Sequence, residues 1–375
     1  MRTAVAGICL TLALTVSAAN TNESVNELMQ DLGNTMLRML PAAYSKSPDQ
    51  VLLLENLVRL EYMLDEAAPH FDKANDGGQV TLTLLQERLA DARAYGTSGN
   101  PALLQTTLSE AFTLCASCHV QDRVERRAFA ATAGQNLDDY LAGEYYFLTR
   151  NYDAASQSMQ KYFAATSRTK NQDMSHQDSI VLQRMLTIGV EVQRDLAATA
   201  TELSGALKHL DAADYNHGRV EDWISVLTRI GRGDTGLKSP IGLSMTELDE
   251  FLSRDWPDLR TSLNFSQQEA YWVIVRGELN RHLKLASGQK QLPKVYYWLA
   301  VADRELQYRF YGSLSRAYLE ACVYEYPGDA YATRCLDEYE LLVLISFSGS
   351  SGTFVPPEVN EKISEMRKLI LDHSS

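Results

Sequence analysis

Two thiols and an imidazole stand close together at a fixed spacing in this chain. Cys115, Cys118 and His119 form the pattern C-x-x-C-H. That spacing is typical of covalent haem attachment, in which both thiols bond to the porphyrin and the adjacent imidazole binds its iron. A chance cluster, a disulfide and a thioredoxin-like redox pair are the other interpretations, and the last needs a βαβ setting that is not visible here. The motif occurs once and therefore predicts one haem c per chain.

The motif lies in a segment with helical character, from Leu103 to about Phe129. Cys115, Cys118 and His119 occupy positions i, i+3 and i+4, so a helix presents all three on one face. A single helix can therefore supply both the thiols that bond to the porphyrin and the imidazole that binds its iron.

Three amphipathic segments come before the motif helix, at residues 22–40, 47–68 and 80–95. We expect the first to stop at Pro41, and the second to begin with Ser47 as its N-cap and Pro48 in its first turn. Short polar linkers join the segments. Residues 20–130 are therefore predicted to form an antiparallel four-helix bundle with a site between facing helices.

A bundle with C-x-x-C-H late in its last helix resembles cytochrome c′ and its low-spin relatives, the cytochromes c556. The resemblance covers residues 22–130. In that family an aromatic residue and an arginine usually follow the histidine. Arg123 matches the arginine, whereas Asp122 stands where the aromatic is usual. The resemblance implies a cofactor-binding role for Arg123.

The family also implies a position for the sixth iron ligand, on the first helix. Low-spin members have Leu-Met-Lys-Asp near the start of that helix, with the methionine on the iron. This chain has Leu28-Met29-Gln30-Asp31. A thioether is a soft ligand that suits haem iron and raises its potential, so Met29 is the candidate ligand.

Two other arrangements remain open at the sixth position. Met36 lies seven residues after Met29, on nearly the same helix face. An open site lined by apolar side chains such as Leu32 is the third arrangement, because methionine is also common core filler. Members of the family with an open site bind small diatomic gases.

Residues 1–19 have the pattern of a secretory signal peptide. Arg2 precedes an apolar run over residues 4–16, and Ser17 to Ala19 are small. The run is too short to span a bilayer, and no later run reaches that length. We therefore expect a periplasmic protein without a membrane span. Covalent haem attachment also takes place outside the bacterial cytoplasm.

The formal net charge of −13 limits the partners. An acidic surface argues against nucleic acid and anionic membranes as partners. It would suit a basic redox protein, although acidity also serves solubility.

Residues 131–375 are predicted to form a tetratricopeptide-like helical repeat domain. Gly143, Tyr146, Tyr152 and Ala155 match the spacing of that repeat. A second helix pair is expected at residues 292–310 and 312–326, and further helices at 176–212, 218–230, 244–253, 265–286, 329–345 and 357–371. The fold class is thus all-α, a bundle followed by an α-solenoid whose surface offers a docking site for a protein partner.

Four smaller predictions concern this domain. Cys322 and Cys335 are expected to form a disulfide, because they are the pair left after haem attachment and export. Ser244 and Glu247 have the spacing of a capping box. The acidic cluster that includes Asp249 is interpreted as a solvated helix face, and residues 346–356 as a flexible connector.

These patterns favour electron transfer to a redox protein partner, with the repeat domain docking that partner. Binding of nitric oxide or carbon monoxide, and a scaffold with structural haem, are the alternatives. We do not expect an enzyme, because the first helix offers no acid or base to face His119. Proteins of the family that this bundle resembles often form homodimers, but the sequence does not indicate a dimer interface.

Overall fold

The computed structural model describes residues 18–45, 47–70, 76–121, 136–165, 172–234, 236–285, 289–308, 310, 313–349 and 352–373. Within these ranges the chain is almost wholly helical, which confirms the all-α class. The predicted signal peptide lies almost entirely outside the described residues. No helix in the described ranges is both long enough and apolar enough to cross a bilayer.

The first four helices pack against one another. They are α1 (Ala18–Ala43), α2 (Gln50–Ala67), α3 (Asp76–Thr97) and α4 (Pro101–Gln121). Helix α1 contacts α2 and α4, α2 contacts α3, and α3 packs along α4. Their facing sides carry buried Leu, Met, Ala and Phe side chains, which is the burial that makes four amphipathic helices associate.

Two helix boundaries differ from the prediction. Helix α1 continues through Pro41. Leu40 before it and Ala43 beyond it are fully buried, and this packing outweighs the lost backbone donor. Helix α2 begins after Asp49 and not after Ser47. The Asp49 carboxylate accepts a hydrogen bond from the Leu52 N–H at 3.0 Å, as an N-cap does.

Helix α2 carries two apolar stripes, of which only one is buried. Val51, Val58 and Tyr62 are exposed, Val51 by 67%. The core-facing side chains are Leu53, Leu57, Leu60, Met63 and Leu64. Two apolar stripes compete on this helix, and the more leucine-rich one is buried.

The remaining helices run in chain order as a series of packed neighbours. They are α5 (Asp139–Leu148), α6 (Tyr152–Ala164), α7 (Gln172–Thr187), α8 (Leu196–Leu207), α9 (Tyr215–Gly231), α10 (Met245–Glu250), α11 (Trp256–Leu259), α12 (Phe265–Leu285), α13 (Leu292–Glu305), α14 (Ser315–Glu325), α15 (Ala330–Phe347) and α16 (Pro357–His373). Helices α5 and α6 form the expected pair, and a Cβ at Gly143 would lie 3.1 Å from Met159. A small residue at Gly143 therefore lets these two helices approach closely.

The prediction of one continuous helix over residues 176–212 is wrong, because two helices, α7 and α8, occupy this range. A π-helical turn at Ile188–Gln193 ends α7, and Arg194 takes a left-handed backbone with φ 59°. Gly189 packs directly against Thr199 of α8, which only a residue without a side chain allows. The sharp turn thus folds α8 back on α7. A second π-helical turn, Phe251–Asp255, joins α10 to α11.

The connector expected at residues 346–356 contains a short β-hairpin. Strand β1 (Ser348–Gly349) pairs antiparallel with β2 (Gly352–Thr353). At its base the Phe354 N–H donates to the Phe347 carbonyl at 3.1 Å.

An early and a late helix of the α5–α16 series both contact the first four. Helix α5 packs against α1 and α4, while α14 packs against α3. On the surface Arg316 of α14 pairs with Glu87 of α3 at 3.2 Å. The later helices therefore curve around α1–α4, so part of their surface is already covered.

Candidate functional site

Helix α4 carries the C-x-x-C-H motif in its last two turns. Asn100 caps the helix, since its side-chain oxygen accepts from the Leu103 N–H at 3.2 Å. The structure describes the backbone of Cys115, Cys118 and His119 as helical, but their side chains lie outside the described part, as does all of Arg123. The i, i+3, i+4 arrangement on one helix therefore holds for the backbone.

The motif follows a buried stripe of α4 in the helical register. Leu104, Leu108 and Ala111 are fully buried along one side of the helix. Position 115 follows Ala111 by four residues and position 118 follows it by seven, so both belong to the same helical face. Their register on α4 is that of the core-facing stripe.

Helix α1 lies against α4 and carries the candidate sixth ligands. Met36 is buried, Met39 is fully buried and Leu32 is half-buried. The backbone of Met29 is helical, and its side chain is outside the described part. Position 29 precedes Met36 by seven residues and so extends the same stripe.

A direct contact fixes how α1 and α4 are aligned. The Gln105 side-chain amide donates to the Ser45 carbonyl at 2.6 Å. Ser45 follows the end of α1, and Gln105 lies in the second turn of α4. The end of α1 is thus held at the beginning of α4.

The donor set fits a covalently held haem. Two thiols at C-x-x-C spacing, an adjacent imidazole and methionines on a neighbouring helix are the types that attach a porphyrin and bind its iron. The apolar stripe before the motif, Leu104 to Ala111, would exclude water from such a group, and exclusion of water is one control on its potential.

A buried polar cluster joins α1 to α5 and α7. Arg184 binds Glu144 through two hydrogen bonds, of 3.0 and 3.2 Å. Arg184 also donates to the Phe310 carbonyl, and the Tyr44 hydroxyl lies 3.5 Å from Glu144. Burial and the Glu144 charge raise the pKa of Tyr44, so it stays a neutral donor. The cluster ties the end of α1 to the later helices.

In the core of the later helices, one buried guanidinium forms ion pairs with two carboxylates. Arg276 of α12 pairs with Glu191 of the π-helical turn at 2.6 Å and with Asp303 of α13 at 3.5 Å. The hydroxyls of Ser313 and Ser315 also donate to Asp303. Burial raises the pKa of Asp303, opposed by Arg276 and both hydroxyls. These charges are hydrogen-bonded structural partners that link three elements.

A second buried pair joins α9 to α12. Arg219 binds Glu269 in a bidentate manner, with both distances 2.8 Å, and its guanidinium stacks 4.6 Å from the Trp223 ring. Bidentate geometry fixes the relative position of the two helices more sharply than apolar contact does.

The interpretation of Asp249 as part of a solvated face is wrong. Asp249 accepts hydrogen bonds from the Trp298 indole at 2.9 Å and from the Tyr331 hydroxyl, and pairs with Lys294 at 3.2 Å. Burial opposes ionisation, but these donors outweigh it and hold the pKa of Asp249 below its usual range. Its role is to fasten α10 to α13 and α15. In contrast, the predicted capping box of Ser244 and Glu247 is confirmed.

Cys322 and Cys335 lie on α14 and α15, on either side of the turn between them. Their sulfurs are 2.09 Å apart and their Cα atoms 6.3 Å apart, as in a disulfide. Both residues are fully buried.

Sequence reasoning missed the buried ion pairs. Their partners are separated by 40, 50 and 85 residues for Glu144–Arg184, Arg219–Glu269 and Glu191–Arg276. No short-range pattern links residues so far apart. The one local signal was the presence of Arg and Glu inside otherwise apolar helix faces.

No protein-family model matches the chain, and neither the curated proteins nor the solved structures contain a match.

Proposed function

We propose that this protein is an exported, periplasmic c-type cytochrome that carries one haem and transfers electrons to a redox partner. Cys115 and Cys118 would hold the haem through thioether bonds, and His119 would bind its iron. The haem supplies reversible one-electron chemistry when it is bound. The observation that carries the proposal is a helix whose buried stripe leads directly into a C-x-x-C-H motif.

The finer architecture belongs to the same proposal. Helices α1–α4 form an antiparallel cytochrome c′-like bundle over residues 20–130, and α5–α16 form a tetratricopeptide-like domain. The contacts around α1–α4 and the α5–α6 pair support this division. In the bundle Arg123 would contribute to the haem site, as the family resemblance implies.

The contact between Ser45 and Gln105 supports Met29 as the sixth ligand. His119 lies fourteen residues after Gln105, or about 21 Å along α4 at 1.5 Å per residue. In an antiparallel pair, the same distance back from Ser45 along α1 reaches Asp31. Met29 is two residues from that level, whereas Met36 is five residues from it. Met29 is therefore nearer the height of His119.

The role of the chain is to bind and orient the haem and to exclude water from it. The helix α4 backbone sets the spacing of both thiols and the imidazole. The apolar side chains of α1 and α4 exclude water. A thioether from Met29 would favour the reduced iron and raise its potential.

Gas binding is the second candidate function, and one observation favours it. Met36 and Met39 are buried among the apolar side chains of the core, where they pack against their neighbours as other apolar residues do. If Met29 also packs in this way, the sixth position is open and apolar, which suits a neutral diatomic ligand.

Spectra of the exported full-length protein, with and without carbon monoxide, test both functions. We expect one haem attached covalently, shown by a mass one haem above that of the processed chain, and a low-spin reduced spectrum that carbon monoxide changes slowly. Cys115→Ala with Cys118→Ala should abolish the covalent haem. A colourless protein with the mass of the bare chain would overturn the proposal.

The ligand assignment has its own matched pair of variants. Met29→Leu should turn the spectrum high-spin and speed carbon monoxide binding, while Met36→Leu should leave both unchanged. Both substitutions conserve volume, so loss of packing does not explain a difference. Rapid carbon monoxide binding by the unmutated reduced protein would favour gas binding over electron transfer.

A further inference from the structure

One end of α15 presents an uncharged apolar surface to solvent. Five side chains at this end are exposed, and we call them the apolar end patch: Leu341, Leu344, Ile345, Phe347 and Phe354. The first four lie on the last two turns of α15. Phe354 follows the β-hairpin and is held next to Phe347 by their backbone hydrogen bond. Phe354 is 75% exposed, although a phenyl ring gains most from burial.

The surrounding sequence is free of charge. No Asp, Glu, Lys or Arg occurs between Glu340 and Glu358, in a chain of which 22% is charged. The described hairpin residues Ser348, Gly349, Gly352 and Thr353 are small and exposed. Arg367, which lies beside the start of the patch, is paired with Glu340. A neutral surface of phenyl rings, aliphatic side chains and small polar groups results.

We propose that the apolar end patch inserts into the interfacial layer of a zwitterionic lipid bilayer and docks the protein on a membrane surface. That layer is chemically mixed, with acyl chains below and neutral headgroups above. The apolar side chains of the patch, Phe354 included, would enter the acyl boundary, while the small polar residues of the hairpin would remain among headgroups. Because the segment contains no charged group, insertion does not carry the free-energy cost of removing a charge from water.

The charge of the chain and the neutrality of the patch select this occupant. An anionic bilayer would repel a chain of net charge −13, and the patch offers no cation to offset that. A second copy of the chain carries the same net charge of −13, so two copies that met at this patch would repel each other. A zwitterionic bilayer has no net charge and meets neither obstacle.

Flotation of the full-length protein with phosphatidylcholine vesicles tests the proposal. We expect the protein to float with the vesicles, with the bound fraction unchanged in high salt and lower when anionic lipid is added. Phe354→Ser together with Leu344→Ser should lower the bound fraction at least five-fold.

Leu371→Ser is the matched control, because Leu371 is an exposed leucine, 68% accessible, on α16. It should float like the unmutated protein. Thermal unfolding should give each variant the melting temperature of the unmutated protein, since all these side chains are exposed.

A second measurement does not depend on loss of binding. In Phe354→Trp the new indole should shift its emission to the blue on addition of vesicles and be quenched by lipids that carry a nitroxide near the headgroup. Absence of flotation, flotation that requires anionic lipid, equal loss in Leu371→Ser, or a patch-dependent dimer without vesicle binding would each overturn the proposal. Haem content does not enter any of these readouts.

Discussion

Helices α1–α4 and helices α5–α16 bury different kinds of polar side chain. Among the described residues of α1–α4, the buried polar side chains are Thr35, Asn56 and Thr107, none of which is charged. The later helices bury many charged ones: Glu144, Asp178, Arg184, Glu191, Arg219, Glu269, Arg276, Glu278, Asp303 and Glu338. Both regions are all-α, yet different forces set the positions of their helices.

The difference shows what each core can do. Apolar contact is non-directional, so the α1–α4 core tolerates changes of similar volume and offers a dry surface beside the C-x-x-C-H motif. Buried ion pairs require particular partners and distances. They fix helix positions, and they make the later helices vulnerable to loss of a single charge.

The largest expected effect comes from removing one buried cation. Arg276→Met leaves the Glu191 and Asp303 carboxylates without their shared partner and should lower the free energy of unfolding by about 3–5 kcal/mol. Urea unfolding followed by tryptophan fluorescence measures this, because all four tryptophans lie in the later helices: Trp223, Trp256, Trp272 and Trp298.

Two controls sharpen that comparison. Arg229→Met removes the exposed pair with Asp234, 2.9 Å apart, and should leave the free energy of unfolding nearly unchanged, because water screens the pair. Met39→Leu changes the apolar core of α1–α4 at similar volume and should cost less than about 1.5 kcal/mol. An Arg276→Met protein as stable as either control would show that buried charge does not hold the later helices.

The next effect concerns the bridge between α14 and α15. Cys322→Ala together with Cys335→Ala should lower the free energy of unfolding by about 3 kcal/mol, because the open loop gains entropy in the unfolded chain. Unfolding curves with and without reductant check this. Reductant should destabilise the unmutated protein and leave the double variant unchanged. Two free thiols at these positions in non-reduced, denatured protein would contradict the bridge.

The smallest effect is a dependence on pH that arises in the later helices. His282 of α12 is buried, with its Nε2 atom 2.9 Å from the Leu243 carbonyl. Burial, aided by the Arg281 charge, lowers the pKa of His282. As pH falls below about 6.5, the unfolded chain binds the proton before the folded protein does, so stability decreases.

Melting temperatures between pH 7.5 and 5 measure this effect. His282→Gln keeps a donor for the Leu243 carbonyl and should flatten the slope. His209→Gln, at an exposed histidine, should leave the slope as it is. If His282→Gln melts with an unchanged slope, the acid sensitivity comes from another group.

Local patterns predicted several elements well. Helix α12 spans Phe265–Leu285 where residues 265–286 were expected, and the Ser244–Glu247 capping box forms. Both depend on neighbours within one or two turns. Local patterns failed at Pro41, where burial against other helices decided the outcome. They also do not tell which of the two apolar stripes on α2 is buried.

In the candidate site, too, some features depend on residues close in sequence and others on contacts between distant segments. The C-x-x-C-H motif is local, and its helical backbone agrees with the spacing argument. The alignment of α1 with α4 depends on the contact between Ser45 and Gln105, which are 60 residues apart. A sequence read in short windows contains no information on such a pair.

The sequence alone determined the helical class, the helix that bears two thiols and an imidazole, and the uncharged segment after Glu340, because these follow from composition and from spacings within a few turns. Only the tertiary structure decided which α2 face is buried, which arginine meets which carboxylate, and that Phe354 remains in solvent. Those outcomes depend on burial and charge pairing between distant segments, and both are settled only when the helices come together.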